Sequence, residues 1–166
     1  MDGLPVLRHR ARAMAGGTYV HSRLAANIII ALGPQLRGGP CSVHTADLKV
    51  KAETAMRYPD VSIDCGTPNR SLVAFTPRVL FEVLSASTSI FTQTRVLADY
   101  QTMPTVEQIV FFSQESMEAQ SWRRTEKGWV FAEHHGLEAV IVLDSVGAEL
   151  AMADVYAEVE FEAAEV

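Results

Sequence analysis

Hydrophobic positions along the chain follow two rhythms. From Thr18 to about Leu36 they return at Leu24, Ala25, Ile28, Ala31, Leu32 and Leu36, near the spacing of one helix face, with Thr18 placed as an N-cap. Pro34 in the last turns predicts a bend or an earlier end. After the breaker Arg37-Gly38-Gly39-Pro40 the rhythm changes to strands: Cys41 to His44, then Asp47 to Ala52, where charged and apolar residues alternate as on a strand with one wet face. Two mostly apolar runs follow, Arg57 to Asp64 and Val79 to Ser85, separated by a loop at Gly66-Thr67-Pro68-Asn69. Ser85-Ala86-Ser87-Thr88 reads as the capping segment of a helix to about Gln101, with Ile90, Phe91, Val96, Leu97 and Tyr100 as its apolar side. Strands return at Gln108 to Ser113, Glu118 to Arg123 and Trp129 to Glu133, the last two paired as a hairpin around Thr125-Glu126-Lys127-Gly128. Ala139 to Leu143 is a further strand, Asp154-Val155-Tyr156 a short terminal helix, and Ala11 to Met14 a short edge strand. The order of elements gives one α+β domain, a mixed sheet with helices packed on it.

Each of the two apolar runs carries a carboxylate where its neighbours want a core. Glu82 lies inside Leu80-Phe81-Glu82-Val83-Leu84 and is the only charged residue between Arg78 and Arg95; Asp60 sits in Tyr58-Pro59-Asp60-Val61. If the runs are adjacent strands, the two carboxylates lie close together, which is costly unless something positive or a set of donors meets them. Most such residues are solvated or salt-bridged. A hard divalent cation would also resolve the conflict, because Mg²⁺ takes oxygen ligands and is commonly held by one or two carboxylates plus water and a substrate phosphate. His21, in the first turn of the first helix, is either an ordinary polar first-turn residue or faces that site.

Composition narrows the picture. With 166 residues, 48% of them hydrophobic, the chain can bury one real core, and no stretch is long and apolar enough for a transmembrane helix. The first ten residues lack the apolar segment of a secretory signal, so a cytoplasmic protein without membrane attachment is expected. On that expectation Cys41 and Cys65 are buried free thiols rather than a disulfide or a metal pair. The net charge of −6 argues against a broad non-specific nucleic-acid surface, and the stretch from Ala148 to Val166 carries acidic charges only. A local basic strip remains available in Arg8, Arg10, Arg12, Arg23, Lys49 and Lys51.

Taken together, His21-Ser22-Arg23-Leu24-Ala25-Ala26-Asn27, Tyr58-Pro59-Asp60-Val61, Phe81-Glu82-Val83-Leu84-Ser85-Ala86-Ser87-Thr88, Asp99-Tyr100, Pro104-Thr105-Val106 and Leu150-Ala151-Met152-Ala153-Asp154-Val155-Tyr156 resemble the Uma-two-like restriction endonucleases of the PD-(D/E)xK nuclease superfamily. The resemblance runs from about Gly16 to the C-terminus and implies a restriction-endonuclease-like mixed sheet flanked by helices. It implies Mg²⁺ or Mn²⁺ held by Asp60, Glu82 and the carbonyl of Val83, with DNA as substrate and His21 near the substrate or the attacking water.

The superfamily also uses a lysine to orient and activate that water, and here the sequence departs from the pattern. The two positions where it is found are Leu84 and Val96. Arg95 adjoins Val96 but points about 100° away around a helix and is a poor proton acceptor; Lys49 or Lys51 would serve only from the right strand face. Residues 1–15 are shorter and more basic than the segment that usually opens these proteins. Two functions therefore stand: a Mg²⁺-dependent endonuclease with Asp60, Glu82, His21 and Arg95 as its catalytic candidates, or a catalytically silent nuclease-fold protein that works by binding, as a homodimer or with another partner. His134-His135 reads as surface, Ser85, Ser87 and Thr88 as helix caps, and Trp122 and Trp129 as cross-strand packing.

Overall fold

The computed structural model describes residues 17–161, so the edge strand expected at Ala11 to Met14 lies outside the described residues. Helix α1 (Tyr19–Leu36) begins at the Thr18 N-cap, whose hydroxyl accepts from the His21 backbone N–H. It runs through Pro34 without ending early. The carbonyl that this proline leaves unbonded belongs to Ile30, which is exposed and so open to water.

A six-stranded sheet forms the centre. Its strands are β1 (Ser42–Thr45), β4 (Val61–Asp64), β5 (Pro77–Leu84), β6 (Gln108–Ser113), β7 (Glu118–Thr125) and β8 (Gly128–His135), side by side in that order. All neighbours are antiparallel except β5 and β6, which are parallel and joined through helix α2 (Ile90–Gln101). The chain between β1 and β4 forms a small separate ribbon of β2 (Val50–Lys51) and β3 (Met56–Arg57). The strand expected over Asp47 to Ala52 is therefore shortened to Val50–Lys51 with a single bridge at Lys49, and the run through Asp60 breaks at Tyr58-Pro59-Asp60, where proline cannot continue a ladder. Strand β9 (Val140–Leu143) pairs with β10 (Ala148–Ala151), a hairpin partner that the sequence pattern did not reveal, before the short helix α3 (Met152–Val155).

Alternation along β5 separates two cores. Val79, Phe81 and Val83 face α1, α3 and the β9–β10 hairpin, together with Val61, Ile63, Val110 and Phe112. Leu80 faces the other way, onto Val50, Ile109, Phe111 and Tyr100, and Glu82 shares its side by strand parity. Helix α2 enters this second core through Tyr100 and the half-buried Val96 and Leu97. Ile90 and Phe91, expected on its apolar side, are 81% and 76% exposed. Its N-cap is Ser89, one residue beyond the anticipated Ser85 to Thr88, whose hydroxyls bond one another in the preceding turn. At its far end Arg124 donates to the Val106 and Met103 carbonyls and lies 4.4 Å over the Trp129 ring, fixing the turn that leads into β6.

The cysteines overturn the expectation of free thiols: Cys41 and Cys65 are disulfide-bonded, with Cα atoms 3.9 Å apart. The reason is register. Ser42 stands opposite Asp64 in the β1–β4 ladder, so the next positions outward are Cys41 and Cys65. The compartment-based expectation had no access to that pairing.

Buried Asn27 ties α1 to the C-terminal turn by donating to the carbonyls of Val155 and Ala157, at 2.8 and 2.9 Å. Asn27→Ala removes both of these hydrogen bonds, and urea unfolding is expected to show a loss of about 2 kcal/mol.

Candidate active site

Antiparallel pairing of β4 with β5 sets Val61 opposite Phe81, so Asp60, one residue before β4, comes opposite Glu82 and within reach of the next residue, Val83. Its Oδ2 accepts from the Val83 backbone N–H at 2.8 Å. The same oxygen is 3.1 Å from Nε2 of His21, which reaches it from the first turn of α1. Glycine at position 17 makes room for this ring, since a Cβ there would stand 2.6 Å from His21 Nδ1. The N-terminus of α1 is further tied to β5 through Gln114, which accepts from the Thr18 hydroxyl at 2.5 Å and donates to the Leu84 carbonyl at 2.8 Å.

Glu82 approaches from the opposite side of β5, where Tyr100 of α2 donates its phenolic O–H to Glu82 Oε1. Its carboxyl is pushed up to about 8, first by burial and then by the charge of Asp60. The Tyr100 hydrogen bond and the charge of Arg57 oppose that rise. His21 is raised because its hydrogen bond and attraction to Asp60 outweigh burial, and Tyr100 is raised by burial and by the neighbouring Glu82. Asp60 and Glu82 thus share one electrostatic environment, with a histidine on one side and a phenol on the other.

The sequence-derived candidates divide accordingly. Asp60, Glu82, Val83 and His21 are brought together. Arg95 is exposed on α2, and among the described residues it, Lys49 and Lys51 make no hydrogen bond to either carboxylate. Val96 packs half-buried against the α2-side core. Two further members had not been singled out as site residues. In the sequence Tyr100 is an apolar helix position and part of the Asp99-Tyr100 motif of the family resemblance, with no site role attached, although its place 18 residues after Glu82 across a strand–helix crossover is a usable signal. Arg57 donates through Nε, at 2.8 Å, and Nη2 to Asp99 Oδ2, just before Tyr100; nothing in the local sequence marks that pair.

Among the described residues no three His, Cys, Asp or Glu side chains converge as a ready metal cage. Two carboxyls facing one space, the more buried of them unable to ionise readily beside the other, nevertheless form a donor set that suits a hard cation completing its shell with water. The other candidates are structural. His134 bonds the Ser121 hydroxyl at 2.9 Å, His135 lies between Glu118 and Glu133 at 3.4 and 3.8 Å, and Trp122 packs on Phe111 and Phe131. No described helix is long and apolar enough to cross a membrane.

A mixed sheet with a carboxylate pair at the junction of two central strands and a helix on each face is a nuclease-like α+β fold. It is similar to a putative nuclease belonging to DUF820 from Anabaena variabilis, with a TM-score of 0.65 over 84% of this chain and 82% of that one, at 14% identity. Residues 7–153 match the Uma2 family, described as putative restriction endonucleases, and the chain belongs to that family. An uncharacterized protein of Synechocystis sp., slr1290, is 27% identical over 149 residues, 87% of this chain and 78% of its own length.

Raised Glu82 and His21 both mean that the folded protein holds protons the unfolded chain releases, so without divalent cations their contribution to stability is full below the ordinary carboxylate range and is lost as pH rises towards about 8. Thermal denaturation in chelator is expected to show Tm dropping by about 5 °C or more between pH 5.5 and 8.5. Glu82→Gln, fixed in the neutral form, should remove most of that decline and leave the share of His21.

Proposed function

We propose that this protein is a Mg²⁺- or Mn²⁺-dependent endonuclease that hydrolyses phosphodiester bonds in DNA. The observation carrying this reading is the convergence of Asp60 and the buried Glu82 on one space at the β4–β5 junction. Asp60, Glu82 and the Val83 carbonyl would hold the cation. When bound, it supplies Lewis-acid stabilisation of charge on the phosphate and acidifies water. The chain's own residues do the rest. Tyr100 fixes the orientation of one Glu82 oxygen, and the Val83 N–H fixes that of Asp60. His21, whose affinity for a proton is raised by Asp60, can carry a proton between that carboxylate and water or a leaving oxygen.

A second reading is favoured by Val96, an apolar side chain packed where the family resemblance leads one to expect a lysine. In it the protein is a catalytically silent relative that binds nucleic acid or a partner, including a second copy of itself, in the cytoplasm. The two readings separate in plasmid and single-stranded DNA cleavage with Mn²⁺, using the unmodified protein, Asp60→Asn and Val96→Lys. The endonuclease reading expects cleavage by the unmodified protein and a loss of at least about 100-fold in Asp60→Asn. Cleavage only after Val96→Lys would assign the silent role. A Mn²⁺-induced rise in Tm that Asp60→Asn abolishes would report the cation site independently of turnover.

A further inference from the structure

Arg57 is the cation whose charge acts on both Glu82 and Tyr100. It lies on β3, three residues before Asp60, opposite buried Val50 in the β2–β3 ribbon. Its side chain is 25% exposed, and it spends one edge on a single oxygen of Asp99, itself 14% exposed. Both donors of that edge, Nε and Nη2, meet Asp99 Oδ2. The remaining nitrogen, Nη1, has no hydrogen-bond partner among the described residues and is not sealed from solvent; the sealed unpartnered side-chain atoms are Arg23 Nε and Ser62 Oγ.

That arrangement is unusual for a cation beside two carboxylates. A guanidinium released from Asp99 would be drawn onto Asp60 and Glu82 and would occupy the space a divalent cation needs. Asp99, the residue just before Tyr100, holds the other edge, so the positive group is fixed within electrostatic reach of Glu82 with a donor to spare. Planar guanidinium donors suit phosphate oxygens, and Arg95, Lys49 and Lys51 offer no contact there.

We propose that Arg57 is a substrate-binding residue, its Nη1 side donating to a phosphate oxygen of a DNA strand laid beside Asp60 and Glu82, and that Asp99 is the positioning residue that keeps it available. This rests on the nuclease reading above. Arg57 does not stand in for the absent lysine in proton transfer, since it stays charged; it supplies a fixed positive charge on the Tyr100 side of the pair, opposite His21.

The test is the anisotropy of a short fluorescein-labelled duplex in Ca²⁺, titrated at several salt concentrations, beside Mn²⁺-induced Tm shifts. Arg57→Gln should weaken binding about 10-fold at moderate salt and lower the salt slope by about 1, while keeping the Mn²⁺ shift. Arg57→Lys, which retains charge and the ion pair with Asp99, should keep the slope and bind with intermediate affinity. A clamp between β3 and α2 with no substrate role would lower the Tm of Arg57→Gln but leave its affinity and slope unchanged, and that result overturns the proposal. If Arg57→Gln fails to fold, an Arg57→Lys protein with unmodified affinity overturns it instead. An unmodified protein that gains Tm from Mn²⁺ but binds no duplex or single strand also overturns it and leaves the cation site standing. One that gains no Tm from Mn²⁺ takes away the nuclease reading and this proposal with it.

Discussion

The structure turns on a carboxylate placed inside an apolar strand. Glu82 occupies a position that parity assigns to the α2-side core, and every neighbour of that position has to accommodate it. Tyr100 supplies an O–H, Arg57 supplies charge at a distance, and Asp60 works against both by adding a second negative group. A core residue at position 82 would pack better and cost nothing in solvation. The fold therefore keeps an electrostatic conflict at its centre, and such conflicts concentrate at functional sites.

The conflict also explains the division of labour between the helices. Helix α1 approaches the pair from one face of the sheet with His21, and α2 approaches from the other with Tyr100. Among the described residues neither helix hydrogen-bonds both carboxylates, so the sheet itself, through the Val83 N–H, joins the two halves. Parallel pairing of β5 with β6 makes α2 a crossover, which is why a residue 18 positions after Glu82 can lie over it.

Much of this was legible in the sequence because the chain announces its elements strongly. Thr18, the heptad-like apolar face of α1, the hairpin at Glu126-Lys127 and the apolar runs around Asp60 and Glu82 all carry local signals. The failures have a common cause in tertiary partners that no local window contains. Asp47 to Ala52 alternates like a strand yet forms only two ladder residues, because its partner β3 is itself only Met56–Arg57 and the chain turns away at Tyr58-Pro59. Ile90 and Phe91 look like core and face solvent, because Ser89 starts α2 with its first turn beyond the sheet's cover. The Arg57–Asp99 pair joins residues 42 positions apart and has no sequence signature. The nearness of Asp60 and Glu82 was legible because burial of a charge is written into the residues flanking it. What surrounds them was found only in part, because hydrogen bonds to a buried acid come from wherever the fold delivers a donor.

The Cys41–Cys65 bond joins residues 24 apart and makes the chain between them a covalent ring. That ring holds β1, the β2–β3 ribbon, Arg57 and Asp60, whereas His21, Glu82, Tyr100 and Asp99 lie outside it. The pocket of carboxylates is thus assembled from one closed loop and two open tails. A single backbone cut between Asp60 and Asp64 would leave the molecule covalently in one piece until its disulfide was reduced, and only then would the segment bearing Asp60 lose its covalent tie to the segment bearing Glu82.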